Sequence, residues 1–428
     1  MPRIELVNIN LNEFAARRSV LVLLVFVATV LATLTFWALL PARFRVPASD
    51  QSDYYHFYEP VARSILAGRG VSLEDGTPAT LFPPGCPLIL SGLFGLSHKL
   101  SIPEPFVLST FAILTMGAIS SLVFLMGRVL LSVSASLMSA AIWMTYPFAL
   151  WLTRQPNSEV PFMLFLYAGL TLFWYLVIRR PRAWALFFLC GSLLGIAMLI
   201  RPIAIGIALV LSAIVWTVRR ELPRRFRALL ITMLLFGNLL ALLPWEAWVY
   251  SRTENVISIS TSGLENVKDG LIFAVHQSRP PQKTISHDIV SVMSDIQLQF
   301  GERGQSYKEI GKVLATEFRA QPLAMAKLFA LKGARSWYGT DSGRHEMTIL
   351  LIQMAYLLII LWSARRVWRQ GGMYRKFGIG ILLITIYFWG MTVLAISIAR
   401  YMVPVMGLLF ILIGAALFPR SAAEARPA

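Results

Sequence analysis

Residues 17–40 read RRSVLVLLVFVATVLATLTFWALL. Two arginines are followed by an uncharged run from Ser19 to Leu40. A helix rises about 1.5 Å per residue and a bilayer core is about 30 Å thick, so some twenty such residues cross it. The run is too long for the apolar part of a signal peptide and carries no small-residue cleavage site, which predicts a retained membrane helix. Lone strands cannot satisfy their backbone in lipid, so every comparable run is read as helix. Such runs recur at about 104–127, 130–152, 160–178, 183–200, 203–218, 227–249, 346–364, 376–396 and 401–418. The expected fold is an all-α polytopic membrane protein with about ten transmembrane helices.

Composition agrees. The 428 residues are 57% hydrophobic and 14% charged, with a mean hydropathy of +0.65. A soluble chain runs at about 45–50% apolar and about 25% charged, so a soluble enzyme and a disordered chain are both disfavoured. The net charge of +17 is distributed as a topology signal. Arg128, Arg179–Arg182, Arg219–Arg227 and Arg365–Lys376 all fall on the N-terminal side when 83–97 does not cross. Positive residues mark the cytoplasmic face, which places both termini inside a cell membrane. Pro83-Pro84, Gly85, Gly92 and Gly95 suit an interfacial or re-entrant helix over 83–97. No aromatic-interleaved basic stripe calls for nucleic acid. Cys86 and Cys190 make no CxxC pair, so a thiolate metal site or disulfide framework is disfavoured.

Two long segments remain on the outer face, about 41–103 and about 250–345, and long loops are usually functional. The chain then divides into a transmembrane catalytic region (1–249), an outer-face loop domain (250–345), and C-terminal helices with a short cytoplasmic tail (346–428). In the loop domain, Tyr307, Ile310, Leu314 and Phe318 share one predicted helix face.

The first outer segment carries Asp50 and Asp53, then Tyr54, Tyr55, His56 and Tyr58. An interfacial helix is expected from Tyr54 to Leu66. An Asp shielded by its rings could serve as a base. The plainer reading of either Asp is a helix cap, and composition alone favours it. Glu159 opens a helix, where a carboxylate is stabilised by the macrodipole. The short loop before it nevertheless holds it on the same face as Asp50 and Asp53, and convergent carboxylates suggest a site. Arg201-Pro202 and Arg400-Tyr401 each place one arginine between apolar runs, and a guanidinium suits bidentate contact with a phosphate. Ile259–Gly263 and Asn266 could bind a sugar or form turns. His56 beside Asp53 is weak evidence for a metal, and a divalent metal requirement stays open. No Walker loop, dinucleotide fingerprint or GxSxG elbow occurs.

In this order the pieces resemble the GT-C class of integral membrane glycosyltransferases, nearest the protein O-mannosyltransferase and aminoarabinose-transferase type. The acidic-aromatic start, Phe82-Pro83-Pro84-Gly85-Cys86-Pro87, Tyr146-Pro147 with Ser158-Glu159, Arg201-Pro202, Pro244-Trp245 and Arg400-Tyr401-Met402-Val403-Pro404 carry the resemblance. It implies a polyprenyl-phosphate-sugar donor and a lipid, glycan or protein acceptor. It also implies catalysis on the extracytoplasmic face, usually with inversion. On this reading Asp53 or Asp50 is the base, and Glu159 orients the acceptor, sugar or a metal. Arg201, Arg400 and Tyr401 meet the donor phosphate, and Tyr54, Tyr55, His56, Tyr58, Pro84 and Asn266 line the substrate site. The sequence departs from the family twice. Its acids are separated by Gln51-Ser52, and the arginine that commonly follows the proline-tryptophan pair is missing from Pro244-Trp245-Glu246-Ala247-Trp248. The rival readings are a flippase that moves a lipid-linked sugar without cleaving it, and a structural or assembly partner.

Overall fold

The computed structural model describes residues 11–41, 44, 53–257, 259–272, 286–303 and 306–419. Asp50 lies outside the described residues. Helix α1 (Leu11–Leu39) is followed by a π-helical turn, Tyr54–Tyr58, that runs directly into α2 (Glu59–Leu66). Next come α3 (Gly85–Leu100), α4 (Glu104–Arg128), α5 (Val133–Met144), the short α6 (Pro147–Leu152) and α7 (Glu159–Arg179). Helix α8 (Trp184–Ile200), a 3-10 turn (Pro202–Ala204), α9 (Ile207–Val218) and α10 (Arg224–Thr253) complete the first half. The second half contains α11 (Ser262–Ile272), α12 (His287–Arg303), α13 (Tyr307–Ala320), α14 (Pro322–Arg335), α15 (Glu346–Gln370), α16 (Gly372–Leu394) and α17 (Val403–Leu417).

Six segments are long and apolar enough to cross a membrane: Ser19–Leu39, Glu104–Arg128, Glu159–Arg179, Arg224–Thr253, Glu346–Gln370 and Gly372–Leu394. The protein is thus an all-α polytopic membrane protein. The other four expected spans coincide with shorter apolar helices, Val133–Met144, Trp184–Ile200, Pro202–Val218 and Val403–Leu417. Proline sets many of the breaks. Pro147 begins α6 after Tyr146, and Pro202 ends α8. Exposed side chains such as Leu23, Leu239, Leu351 and Ile386 cover the flanks, as expected of helices that face lipid.

The main core gathers around α17, which is buried from Val403 to Ala416. Trp143, Tyr167 and Phe410 pack there, with the Tyr167 hydroxyl donating to the Pro404 carbonyl at 2.8 Å. Helices α8 and α10 meet backbone to backbone. A Cβ added at Gly191 would lie 1.9 Å from the Leu234 carbonyl oxygen, and one at Gly237 would lie 2.0 Å from that of Phe188. Small residues permit such close helix approach in membranes.

Helices α11–α14 form a second core around Leu271, Val292, Ile296, Ile310, Val313, Met325 and Leu328. The buried face of α13 differs from the expected one. Ile310, Val313 and Glu317 are buried, whereas Tyr307 and Phe318 are exposed. The two long loop segments also meet. Thr261 and Ser262 donate their amides to the Thr80 and Leu81 carbonyls, both at 3.0 Å.

Candidate functional site

Helices α7 and α8 are consecutive and antiparallel, so the start of α7 and the end of α8 lie at one end of the bundle. Glu159 is the first residue of α7 and Arg201 follows the last residue of α8. The residue before a proline is pushed out of the helical region. Pro202 accordingly holds Arg201 extended, at φ −143° and ψ 121°. From there Arg201 reaches Glu159 at 2.6 Å and donates to the Ser158 hydroxyl at 3.1 Å. Glu159 is buried, with its side chain only 5% exposed. Its place at a helix start is as expected, but its main partner is a guanidinium.

Arg400 enters the same cluster from the 3-10 turn Ala399–Tyr401 before α17. It lies 3.7 Å from Glu159, 3.7 Å from Asp53 and 3.6 Å from Asp341. These are ion-pair separations longer than hydrogen bonds, and its buried Nε donates to none of them. Burial opposes the charge, yet Asp341, Glu159 and Asp53 hold the guanidinium pKa well above its usual value. Tyr401 presents its ring to both arginines, with Arg201 at 4.9 Å and Arg400 at 5.3 Å from the centroid. Such contacts favour cations over an aromatic face.

Asp53 precedes the π turn but makes no capping hydrogen bond. The capping reading therefore does not account for it, and its carboxylate turns toward Arg400 instead. Tyr58 is buried and donates to Ser158 at 3.2 Å, so Ser158 links the first outer segment to Arg201. Burial pushes the Tyr58 hydroxyl pKa well above its ordinary range, which keeps it a neutral donor. Tyr54 is buried, while Tyr55 and His56 are exposed. Pro84 is the buried cap of α3 and Asn266 sits half-buried in α11. No hydrogen bond joins Tyr55, His56 or Asn266 to the charged cluster among the described residues. Asp341 and Ser158 were not singled out as ligands from sequence.

The proline segment is placed by contact. Phe82 packs edge-on to Phe57 at 5.1 Å and tilts against Tyr58 at 5.4 Å. Gly85 lies directly on the end of α8, where an added Cβ would come 2.6 Å from the Leu199 carbonyl oxygen and 2.8 Å from Ile200 Cγ1. A backbone atom cannot swing aside, so Gly85→Ala should destabilise by about 1–3 kcal/mol. A thermal melt of the purified variant against wild type checks this, and an unchanged midpoint would show that the segment gives way freely. Glu246 accepts from the Ile259 amide at 2.9 Å. Trp245 Nε1 donates to the Ile259 carbonyl at 2.7 Å. The pair thereby holds the buried Ile259 at φ 66° at the entry to α11.

Among the described residues no three His, Cys, Asp or Glu side chains come together as a cation cage. The space between Asp53, Glu159 and Asp341 is filled by the Arg400 guanidinium. Among the described residues this donor set does not fit a divalent metal.

Residues 83–248, which include Glu159 and Arg201, match the family model described as dolichyl-phosphate-mannose-protein mannosyltransferase. Asp53 and Arg400 lie on either side of that segment. No curated protein matches the chain by sequence. Among solved structures, the fold is similar to the oligosaccharyltransferase of Archaeoglobus fulgidus in its apo form. The TM-score is 0.58 at 14% identity, over 92% of this chain and 50% of that one. The same archaeal enzyme in complex with an inhibitory peptide and a dolichol-phosphate gives 0.56 at 13% identity, over 92% and 50%. A form tethered to an acceptor peptide gives 0.55 at 15% identity, over 92% and 49%. The chain thus spans about half the length of these relatives. The match over residues 83–248 agrees with the resemblance carried by the motifs, and the similarity to the solved structures is one of fold.

Proposed function

We propose that this protein is a membrane glycosyltransferase that moves a sugar from a polyprenyl-phosphate-linked donor to an acceptor hydroxyl. The observation that carries the reading is the cluster at one end of the bundle, where three carboxylates pair with two arginines that both lie over the ring of Tyr401. The two arginines have different tasks. Arg201 is committed to Glu159 and Ser158 and anchors the site. Arg400 is held by longer ion pairs and the Tyr401 ring, so its guanidinium is the one to take the donor phosphate.

These placements support the following chemistry. Asp53 accepts the proton of the acceptor hydroxyl as its oxygen attacks the anomeric carbon. The bond from that carbon to the phosphate oxygen breaks, and the polyprenyl phosphate leaves with the electron pair. Arg400 stabilises the negative charge that accumulates there. Glu159 fixes both arginines and orients the acceptor or the sugar.

A single displacement of this kind inverts the anomeric centre. Product glycoside should therefore show the anomeric configuration opposite to the donor in its proton NMR coupling. Retention would point to a covalent sugar–enzyme intermediate and overturn the single-step scheme.

The topology proposed with this function has ten crossings, the four shorter helices spanning together with their flanking turns, and α3 lying at the interface. Positive clusters on the opposite face support a cell-membrane orientation with both termini cytoplasmic and the charged cluster outside. Segment 250–345 is the outer-face domain. The acceptor is a lipid, glycan or protein hydroxyl that reaches the cluster from that side.

A further inference from the structure

We propose that Lys332 is the positioning residue for Arg400, tying the second helical core to the backbone segment that carries this arginine. Lys332 is fully buried in α14. Its ammonium donates to two backbone carbonyls, Gly270 in α11 and Ala395 just after α16, the latter at 2.9 Å. Ala395 opens the short stretch that ends in Arg400. Helix α11 touches the same point, because a Cβ added at Gly270 would lie 1.9 Å from the Ala395 carbonyl oxygen.

The rest of the stretch is held by the same part of the chain. The Ala399 amide donates to the Gly339 carbonyl at 2.8 Å. A Cβ at Gly339 would meet the Ser397 carbonyl oxygen at 2.8 Å. Trp389 of α16 donates to the Gly333 carbonyl at 2.9 Å. Glu346 receives the Arg335 guanidinium and, at 2.9 Å, the Thr340 amide. The next residue is Asp341, which faces Arg400. Backbone from 395 to 399 and the turn from 339 to 341 are thus one joint, with Arg400 on one side and Asp341 on the other.

A buried lysine is a poor choice for stability alone. Burial, with Arg335 nearby, pushes its pKa down to about 7. Burying an ammonium costs free energy unless its donors find partners. What a methionine cannot do is satisfy two carbonyls from two separate elements at once. The ammonium specifies how α11, α14 and the Arg400 stretch fit together.

The inference rests on the glycosyltransferase reading only for its kinetic arm. The test uses full-length protein as wild type, Lys332→Met, Lys332→Gln, Arg400→Ala and the Lys332→Met/Arg400→Ala double variant. Hydrogen exchange followed by mass spectrometry reads the joint without any substrate. Peptides covering 395–401 should exchange about tenfold faster in Lys332→Met, while peptides from α7 and α8 stay at wild-type rates. Unchanged exchange at 395–401 overturns the proposal, as does faster exchange throughout the bundle. Lys332→Gln keeps a donor and serves if the methionine variant does not fold, with a smaller change at the same peptides. In transfer assays Lys332→Met should lose about tenfold to a hundredfold in kcat/KM. It should add nothing once Arg400 is alanine, and losses that multiply would show that Lys332 acts apart from Arg400. An inactive wild type would instead count against the glycosyltransferase reading and leave the exchange result to decide.

Discussion

Asp53→Asn should reduce sugar transfer by about 10²–10⁴-fold while the protein still folds and inserts. The substitution keeps the shape of the side chain and removes only its capacity to take a proton. Little of the fold depends on that carboxylate. It caps no helix, its side chain is 44% exposed, and its ion-pair partner is Arg400 at 3.7 Å. The measurement is transfer from a labelled polyprenyl-phosphate-sugar in membranes, normalised to protein in the same membranes. Full activity in Asp53→Asn would move the base to Asp50. Full activity in both single variants and in the double variant would remove carboxylate base catalysis from the mechanism.

Glu159→Leu should destabilise the protein by about 3–5 kcal/mol, because it leaves Arg201 charged and unpaired in a buried place. The two side chains are 5% and 14% exposed, and they meet at 2.6 Å. Pairing the change with Arg201→Met removes both charges and should recover most of the loss. Transfer should be absent in both variants, since Arg400 loses a carboxylate that places it. Thermal melts in detergent separate the outcomes. Equal destabilisation of the single and double variants would mean that the cost is a packing defect rather than an orphaned charge.

Much of this site was legible because proline and charge are conspicuous in apolar sequence. Pro202 restricts the residue before it, so the Arg201-Pro202 pair already implied a helix end carrying a guanidinium. Glu159, Arg400 and Tyr401 stood out as polar interruptions between runs long enough to cross a bilayer. That Asp53, Glu159, Arg201, Arg400 and Tyr401 meet follows from antiparallel neighbours ending at one face.

Other features depend on tertiary contact. Asp341 sits in a polar turn where nothing in the local pattern sets one carboxylate apart. Ser158 gains its role only through Tyr58 and Arg201, which come from distant elements. The aromatic run Tyr54–Tyr58 forms one helical turn, so its residues point in different directions. Tyr54 and Tyr58 are buried, and Tyr55 and His56 are exposed. Lys332 did leave a signal. It falls on the stripe of Met325 and Leu328, at the i, i+3, i+7 spacing of a buried helix face, and a charge on such a stripe needs partners. In α13 the pattern allowed two neighbouring faces, and packing against α12 and α14 selected the one with Ile310 and Val313.

In the proposed function the cluster cleaves and transfers rather than carries. Its most direct test is wild-type protein in proteoliposomes, supplied with a donor labelled separately in the phosphate and in the sugar, together with membrane-extracted acceptor. The labels should part, with phosphate label recovered as polyprenyl phosphate and sugar label in a new glycoside, and Arg400→Ala should slow the separation by about 10²–10³-fold. Both labels crossing the bilayer together, still joined, would contradict the proposed function and make this protein a transporter.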